Sequence, residues 1–125
     1  MTCKIMVVDD EIMVERLFKL YFRHKIKTHE YEFIFAHNGV EAIEKIKTES
    51  GINMVLTDIN MPEMDGLTLL AQLKKFNLNI PLIVISAYND QKNQLLAQKL
   101  GAFEFINKAI DFSYLEKTIK KALNS

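Results

Sequence analysis

The chain has 125 residues, of which 49% are hydrophobic, and its sixteen basic and sixteen acidic side chains cancel to a net charge of +0. The length predicts one domain over residues 1–125. The hydrophobic content is sufficient for a core, which excludes disordered proteins and small proteins that depend on disulfides. A single cysteine excludes an internal disulfide and favours a reducing compartment. The charge balance argues against nucleic-acid binding by this domain, since such domains normally carry a basic excess.

Neither a targeting segment nor a membrane span is predicted. The apolar runs at residues 5–8 and 81–85 are far shorter than the roughly 20 residues that a spanning helix requires. We therefore expect a protein that is cytoplasmic or faces the cytoplasm.

Five strand-like segments alternate with five helix-like segments along the chain. The strands are short runs rich in branched and aromatic residues, whereas the helices carry apolar residues three and four positions apart. In chain order the predicted elements are strand 4–8, helix 12–25, strand 31–36, helix 40–49, strand 54–57, helix 67–76, strand 81–85, a helix capped by residue 89 or 90 that ends at 101, strand 103–107 and helix 112–123. Regular alternation with buried strands predicts an α/β fold in which helices cover both faces of a parallel sheet, as a three-layer sandwich.

The first two helices carry specific signals. Met13, Leu17, Leu20 and His24 recur at helical spacing in the first helix. The predicted apolar face is widened by Val14, Phe18, Tyr21 and Phe22. Asn38 precedes the second helix and is predicted to cap it. The second strand alternates in part and is predicted to lie at an edge of the sheet.

Polar residues follow four of the five predicted strands. Asp9 and Asp10 follow the first strand, Asp58 the third, Ser86 the fourth and Lys108 the fifth. The carboxyl ends of parallel strands share one edge of the sheet, where ligands bind in open α/β folds. Each residue alone is ordinary turn chemistry, but together they predict a cleft lined by three carboxylates, a hydroxyl and an ammonium group.

These residue types favour phosphoryl chemistry. Clustered carboxylates repel one another unless a cation lies among them, and hard oxygen ligands without histidine or thiolate favour Mg²⁺. A magnesium ion together with Lys108 would hold a phosphoryl group, and a carboxylate can accept that group as an aspartyl phosphate. Asp58 is the best candidate acceptor, because Asp9 and Asp10 can hold the metal from the neighbouring strand.

The motifs resemble the receiver domain of two-component response regulators. They comprise the segment VVDDE at 7–11, the nine residues DINMPEMDG at 58–66, the pair Ser86-Ala87 and Lys108. The similarity extends over the whole chain in order and spacing. It implies a flavodoxin-like, doubly wound sheet of five parallel strands in the order 2-1-3-4-5, with five helices.

The resemblance also implies roles for the acidic residues. Asp58 would accept a phosphoryl group from a phosphohistidine on a sensor histidine kinase or a histidine phosphotransfer protein. Asp10 and Asp58 would bind Mg²⁺ through their carboxylates, Asn60 through its main-chain carbonyl and Asp9 through water. Such a domain catalyses only its own phosphorylation and dephosphorylation.

Three further residues take implied roles as phosphate contacts and as a switch. Lys108 and Ser86 would contact the phosphoryl oxygens, and Ser86 and Phe105 would report the phosphorylated state. The face formed by the fourth helix, the fifth strand and the fifth helix would bind an output protein or a second copy. No membrane or direct nucleic-acid contact is expected. The chain would be either a stand-alone receiver or part of a longer regulator.

Two other functions remain open at this stage. A Mg²⁺-dependent aspartyl-phosphate hydrolase would normally carry a second aspartate two residues after its nucleophile, where this chain has Asn60. A degenerate receiver that serves only as a binding module would not need Asp10, Asp58 and Lys108, which are all present.

The residue after Lys108 departs from the common pattern of the family. Ala109 stands where proline, usually preceded by a cis bond, is frequent. A cis bond before a residue other than proline costs about 2.5–4 kcal/mol. We therefore expect a trans bond between Lys108 and Ala109. The alternative is that the fold holds a cis bond here so that Lys108 reaches the phosphoryl site.

Overall fold

A computed structural model describes residues 2–59, 61, 64–75, 80–86 and 91–124. Within them, five strands and six helices follow one another along the chain. The elements are β1 Cys3–Val8, α1 Ile12–Tyr21, α2 Arg23–Lys27, β2 Tyr31–Ala36, α3 Gly39–Thr48, β3 Met54–Asp58, α4 Gly66–Lys75, β4 Leu82–Ser86, α5 Gln91–Lys99, β5 Glu104–Asn107 and α6 Phe112–Leu123.

The strands form one parallel sheet in the order β2-β1-β3-β4-β5. The predicted strand order and the predicted edge position of the second strand are confirmed. Alternate side chains of β1 enter two separate cores, Ile5 and Val7 on one face of the sheet and Met6 and Val8 on the other. This alternation is the consequence of a strand buried on both faces, and it produces the predicted three layers.

The prediction of one helix over residues 12–25 is wrong. The structure divides it into α1 and α2 at Phe22, whose backbone angles of φ −94° and ψ 17° leave the helical region. The Phe22 ring is buried and packs against Phe18, Tyr31 and Phe33. Neither glycine nor proline marks this position in the sequence, so the break became visible only with the tertiary contacts.

The predicted apolar face of the first helix is confirmed only in part. Met13, Leu17 and Leu20 are exposed to solvent, whereas Val14 and Phe18 are buried. Because helix α1 is apolar on more than one side, spacing alone did not identify the side that faces the sheet. The helix therefore presents apolar side chains to solvent.

Two helix caps follow local chemistry. The side chain of Asn38 accepts a hydrogen bond of 2.8 Å from the N–H of Glu41, which confirms the predicted cap of α3. Asp111 caps α6 in the same way, through the N–H of Tyr114. The cap predicted at residues 89 or 90 lies outside the described residues. Among the described helices, none combines the length and the apolar composition needed to cross a membrane.

Candidate functional site at the carboxyl edge of the sheet

Four strands deliver polar groups to one edge of the sheet. Asp9 follows β1, Asp58 ends β3, Ser86 ends β4 and Lys108 follows β5. The register aligns these ends, since Asp58 lies opposite Ile85 and the next residue of β4, Ser86, lies opposite Asn107. The parallel sheet thus brings together residues that lie far apart in the sequence.

Lys108 stands between two buried carboxylates. Its Nζ atom lies 2.8 Å from Oδ2 of Asp9 and 3.2 Å from Oδ2 of Asp58. Each aspartate side chain is 6% exposed and the lysine side chain is 14% exposed. Glu11 adds a third, more exposed carboxylate at 3.4 Å. Water is largely excluded here, so the attraction between these charges is stronger than on the open surface.

The charges around Lys108 keep it protonated. Burial lowers the pKa of its ammonium group, but the hydrogen bond to Asp9 and the negative charges of Asp58 and Asp9 outweigh burial, so that the pKa lies above its usual value. A permanent positive charge beside Asp58 can attract an anionic group to that carboxylate.

Four acidic residues converge closely enough to bind a metal ion. One carboxylate oxygen from each of Asp9, Asp10, Glu11 and Asp58 lies within 4.8 Å of the others. Asp9 and Asp58 are buried, while Asp10 and Glu11 face solvent. An all-oxygen donor set that is open on one side fits Mg²⁺, which retains waters and binds phosphate oxygens. The donors present therefore fit the predicted cofactor.

The acidic cluster contains one residue more than the sequence predicted, Glu11, and one predicted ligand, Asn60, is not among the described residues. The sequence reasoning did not assign Glu11 to the site, although it directly follows Asp9 and Asp10. Its N–H donates to Oδ1 of Asp9 at 2.9 Å, which directs the chain around the cluster. Asn60, predicted to offer its carbonyl, lies outside the described residues.

The two predicted switch residues lie on adjacent strands. Ser86 is buried at the end of β4, and Phe105 is half-buried two residues before the register partner of Ser86 on β5. Phe105 also lines a cavity of about 170 Å³ together with Gln94 and Gln98 of α5. The ring thus has space next to it on the side of α5.

Gly66 permits a close approach between α4 and the strand that carries Asp58. A Cβ atom at Gly66 would lie 2.3 Å from the carbonyl oxygen of Asp58. Real Cβ contacts of this kind do not occur, so a side chain here would displace either α4 or β3. The glycine in the motif after Asp58 is therefore a packing requirement of the site.

The bond between Lys108 and Ala109 is cis, and the prediction of a trans bond is wrong. That prediction used the preference of an isolated amide, which contains no information about neighbouring groups. With this backbone, the N–H of Lys108 donates to the carbonyl of Ser86 at 2.7 Å, while the side chain reaches Asp9 and Asp58.

Residues 5–120 match the family model of the response regulator receiver domain. The chain belongs to this family. The resemblance predicted from the motifs is thereby confirmed over nearly the whole sequence.

Curated relatives are longer than this chain. It is 36% identical over 119 residues to the transcriptional regulatory protein ZraR of Klebsiella oxytoca, which covers 95% of this chain and 26% of ZraR. It is 33% identical over 122 residues to the transcriptional regulatory protein CrdR of Helicobacter pylori, which covers 97% of this chain and 55% of CrdR. The chain thus spans about a quarter to a half of these relatives.

Solved structures of receiver domains have the same fold. A receiver domain protein from Clostridium thermocellum superimposes with a TM-score of 0.87 at 28% identity, over 98% of this chain and 94% of that chain. The response regulator TrrA of Thermotoga maritima, crystallised in complex with Mg(2+)-BeF, superimposes with a TM-score of 0.83 at 30% identity, over 98% of this chain and 100% of that chain.

Proposed function

We propose that residues 1–125 form a phosphorylation-controlled signalling switch, in which Asp58 accepts a phosphoryl group from a phosphohistidine in a Mg²⁺-dependent reaction. The donor would be a sensor histidine kinase or a histidine phosphotransfer protein. The observation that carries this proposal is the buried carboxylate of Asp58, which lies 3.2 Å from Nζ of Lys108 and within the acidic cluster. Membership in the receiver family supports the same role.

The proposed reaction exchanges one bond at phosphorus for another. A carboxylate oxygen of Asp58 forms a bond to the phosphorus, the bond from phosphorus to the histidine nitrogen breaks, and its electron pair returns to the imidazole. Lys108 attracts the phosphoryl oxygens as negative charge builds up on them. Asp9, Asp10, Asp58 and the carbonyl of Asn60 would hold Mg²⁺, which when bound neutralises charge on the transferred group.

Exposed apolar residues beside the site support a protein as the phosphoryl donor. Ile12 and Met13 directly follow the acidic segment of the cluster, and both are more than half exposed. Leu17 continues this exposed face along α1. An apolar face next to a charged cleft is typical of protein interaction sites, whereas a small-molecule donor would not need it.

The proposal is tested by labelling with a small phosphodonor. Incubation with acetyl phosphate and Mg²⁺ should add one phosphoryl group to the wild-type protein, and Asp58→Asn should abolish the addition. Asp111→Asn is the matched control, because it changes the same group at the cap of α6 and should label like the wild type. Intact mass spectrometry measures all three proteins.

The outcomes separate the competing functions. Labelling of Asp58→Asn at the wild-type level would contradict the assignment of the acceptor. Absence of any label in the wild type would favour a degenerate receiver. Continuous release of phosphate from phosphomonoesters would favour a hydrolase, and we expect none because the domain turns over no metabolite.

We further propose that Ser86 and Phe105 report the phosphorylated state. When Ser86 donates its hydroxyl to the phosphoryl group, space beside β4 is vacated that the Phe105 ring can enter. Ring resonances of Phe105 should therefore shift when beryllofluoride and Mg²⁺ occupy the site, while those of Phe18, which lies in the other core, should not. An unchanged Phe105 spectrum would contradict this role.

Output would pass through the face formed by α5, β5 and α6, to an output protein or a second copy. Leu95 and Tyr114 on this face are about half exposed, which supports a contact there. ZraR and CrdR are named transcriptional regulatory proteins and extend beyond the matched region. We infer that nucleic-acid contact belongs to other parts of such proteins, and that this domain acts in the cytoplasm without contacting DNA itself.

A further inference from the structure

A concave groove of about 720 Å³ lies along the edge strand β2, on the side of α1 and α2. We name it the β2 groove and define it by its floor, Ile26, Tyr31, Phe33 and Phe35, and by its basic rim, Lys19, Arg23 and Lys27. None of these residues belongs to the acidic cluster or to the α5–β5–α6 face. The proposed switch therefore does not explain the groove.

The floor of the β2 groove is aromatic and partly open. Phe33 and Phe35 are half-buried and stack at 6.2 Å between ring centroids, and Tyr31 packs against Phe33 at 6.0 Å. Nζ of Lys19 lies 5.4 Å above the ring of Phe35. Apolar surface of this kind in a concave site is typical of binding sites.

The backbone of β2 offers hydrogen bonds at the same place. In a parallel ladder, alternate residues direct their N–H and C=O groups toward the same neighbouring strand. The carbonyls of Glu30 and Ala36 accept hydrogen bonds from Cys3 and Asp9 on the β1 side. The backbone N–H and C=O groups of the even-numbered residues of β2 therefore point toward β1. Those of the odd-numbered residues point to the open edge of the sheet.

The backbone groups of Tyr31, Phe33 and Phe35 point to this open edge. The side chains of the same three residues belong to the groove floor. The ammonium group of Lys45 donates to the carbonyl of Phe35, as expected for a carbonyl that points to the open edge. This carbonyl, at the C-terminal end of β2, is therefore already occupied. Within the described part of the chain, no strand pairs with β2 on this side. Backbone groups and an apolar floor thus face the same space, which is the arrangement used to bind an added strand.

The rim supplies unbalanced positive charge. Within the described ranges, neither Arg23 nor Lys27 lies within 4 Å of a carboxylate, whereas the neighbouring Lys25 pairs with both Glu30 and Glu116. Lys19 forms an ion pair with Glu15. Among the described residues that line the groove, Glu32 is the one with a negative charge. The net charge at the groove is therefore positive and complementary to an anionic partner.

We propose that the β2 groove binds an extended acidic segment of a partner protein, which adds to β2 as a further strand. Apolar side chains of that segment would cover Phe33 and Phe35, and acidic side chains would meet Arg23 and Lys27. A second copy of this chain fits less well, because symmetric pairing of two β2 edges would bring two basic rims together. A small amphipathic anion would leave the outward-facing backbone groups of Tyr31 and Phe33 unused.

The probe is a short blocked peptide with two glutamates at each end and alternating leucine and threonine between them. As a strand it directs glutamate, leucine, leucine and glutamate toward one face, which matches the rim and the floor. Two control peptides replace the glutamates by lysine or carry N-methyl groups on alternate peptide bonds. Fluorescence anisotropy measures affinity, and amide NMR spectra of the ¹⁵N-labelled full chain locate the site.

We expect the acidic peptide to shift the amides of Tyr31 and Phe33, with binding that weakens as ionic strength rises. Arg23→Glu combined with Lys27→Glu should weaken binding about tenfold or more. The matched pair Lys75→Glu with Lys117→Glu makes the same change of charge at exposed positions elsewhere, and should leave the affinity within about twofold. All variants should still label with acetyl phosphate, so the result does not depend on the function of Asp58.

Several outcomes would overturn the proposal. Equal binding of the N-methylated peptide would show that no strand is added, and equal binding of the lysine peptide would show that the rim does not select charge. Octanoate that shifts the same amides while the peptide shifts none would assign the groove to a small anion. Concentration-dependent dimers in sedimentation that displace the peptide would assign it to a second copy.

Discussion

Two lysines of this protein each contact more than one carboxylate, yet their surroundings differ. Lys108 contacts Asp9 and Asp58 at the carboxyl edge of the sheet, where both aspartate side chains are 6% exposed. Lys25 of α2 contacts Glu30 and Glu116 nearer the surface, where Glu30 is 53% exposed and the side chains of Lys25 and Glu116 are each 21% exposed. The first group joins ends of separate strands, and the second joins α2 to the following turn and to α6.

The two groups differ in how well water can solvate a charge that has lost its partner. Water reaches all three charges of the Lys25 group and can solvate a charge that loses its partner, so these ion pairs contribute little to stability. At the sheet edge, Asp9 and Asp58 are largely shielded from water, which replaces a missing partner poorly there, so an unpaired charge is costly. The same arrangement of charges is therefore a minor contribution to stability in one region and a large one in the other.

The largest effect is expected on removal of each central lysine. Lys108→Met leaves Asp9 and Asp58 without their cation and should lower the free energy of unfolding by about 3–5 kcal/mol in metal-free buffer. Lys25→Met should lower it by at most about 1 kcal/mol. Urea unfolding in the presence of a chelator measures both, and similar losses in the two variants would contradict the difference between the regions.

Neutralisation of one aspartate should have the opposite sign. Four carboxylates against one lysine leave excess negative charge in the acidic cluster, so Asp58→Asn should stabilise the metal-free protein by about 1–3 kcal/mol. Mg²⁺ should stabilise the wild type in proportion to the logarithm of its concentration, and Asp58→Asn less. Thermal melts with Mg²⁺ and with chelator test both statements, with Asp111→Asn as control. Equal stabilisation by Mg²⁺ would exclude Asp58 as a ligand.

The smallest effect is expected at alkaline pH. Burial lowers the pKa of Lys108, but Asp9 and Asp58 outweigh it and raise the pKa; the hydrogen bond to Glu30 raises the pKa of Lys25. A raised folded-state pKa stabilises fully below the unfolded value of about 10.4, and this contribution is lost as pH rises toward the folded value.

The stability of the wild type should therefore decline above about pH 10.4, and Lys108→Met should flatten this decline more than Lys25→Met. Comparison with the wild type removes the contribution of the tyrosines, which titrate in the same range. Urea midpoints across this range measure the effect. An unchanged decline in Lys108→Met would show that Lys108 does not titrate differently in the folded and unfolded states.

Much of the site could be predicted because a polar residue marks the end of each strand that contributes to it. Asp9, Asp58, Ser86 and Lys108 each stand where an apolar run stops, and parallel strands bring their ends to one edge. Glu11 was not assigned, because its approach to Lys108 depends on how the chain turns after β1. The roles of these residues in phosphoryl transfer remain predictions that the labelling experiment tests.

The sequence by itself determined the order of the elements, the parallel sheet and the chemical character of the site, since these follow from local hydrophobic patterns and from residues at strand ends. Only the tertiary structure decided which side of α1 is buried, where the first helix breaks, and that the bond after Lys108 is cis. The physical reason is common to all three. The Phe22 ring, the neighbours of Val14 and Phe18, and the contacts of Lys108 are supplied by distant segments, and local preference contains no information about them.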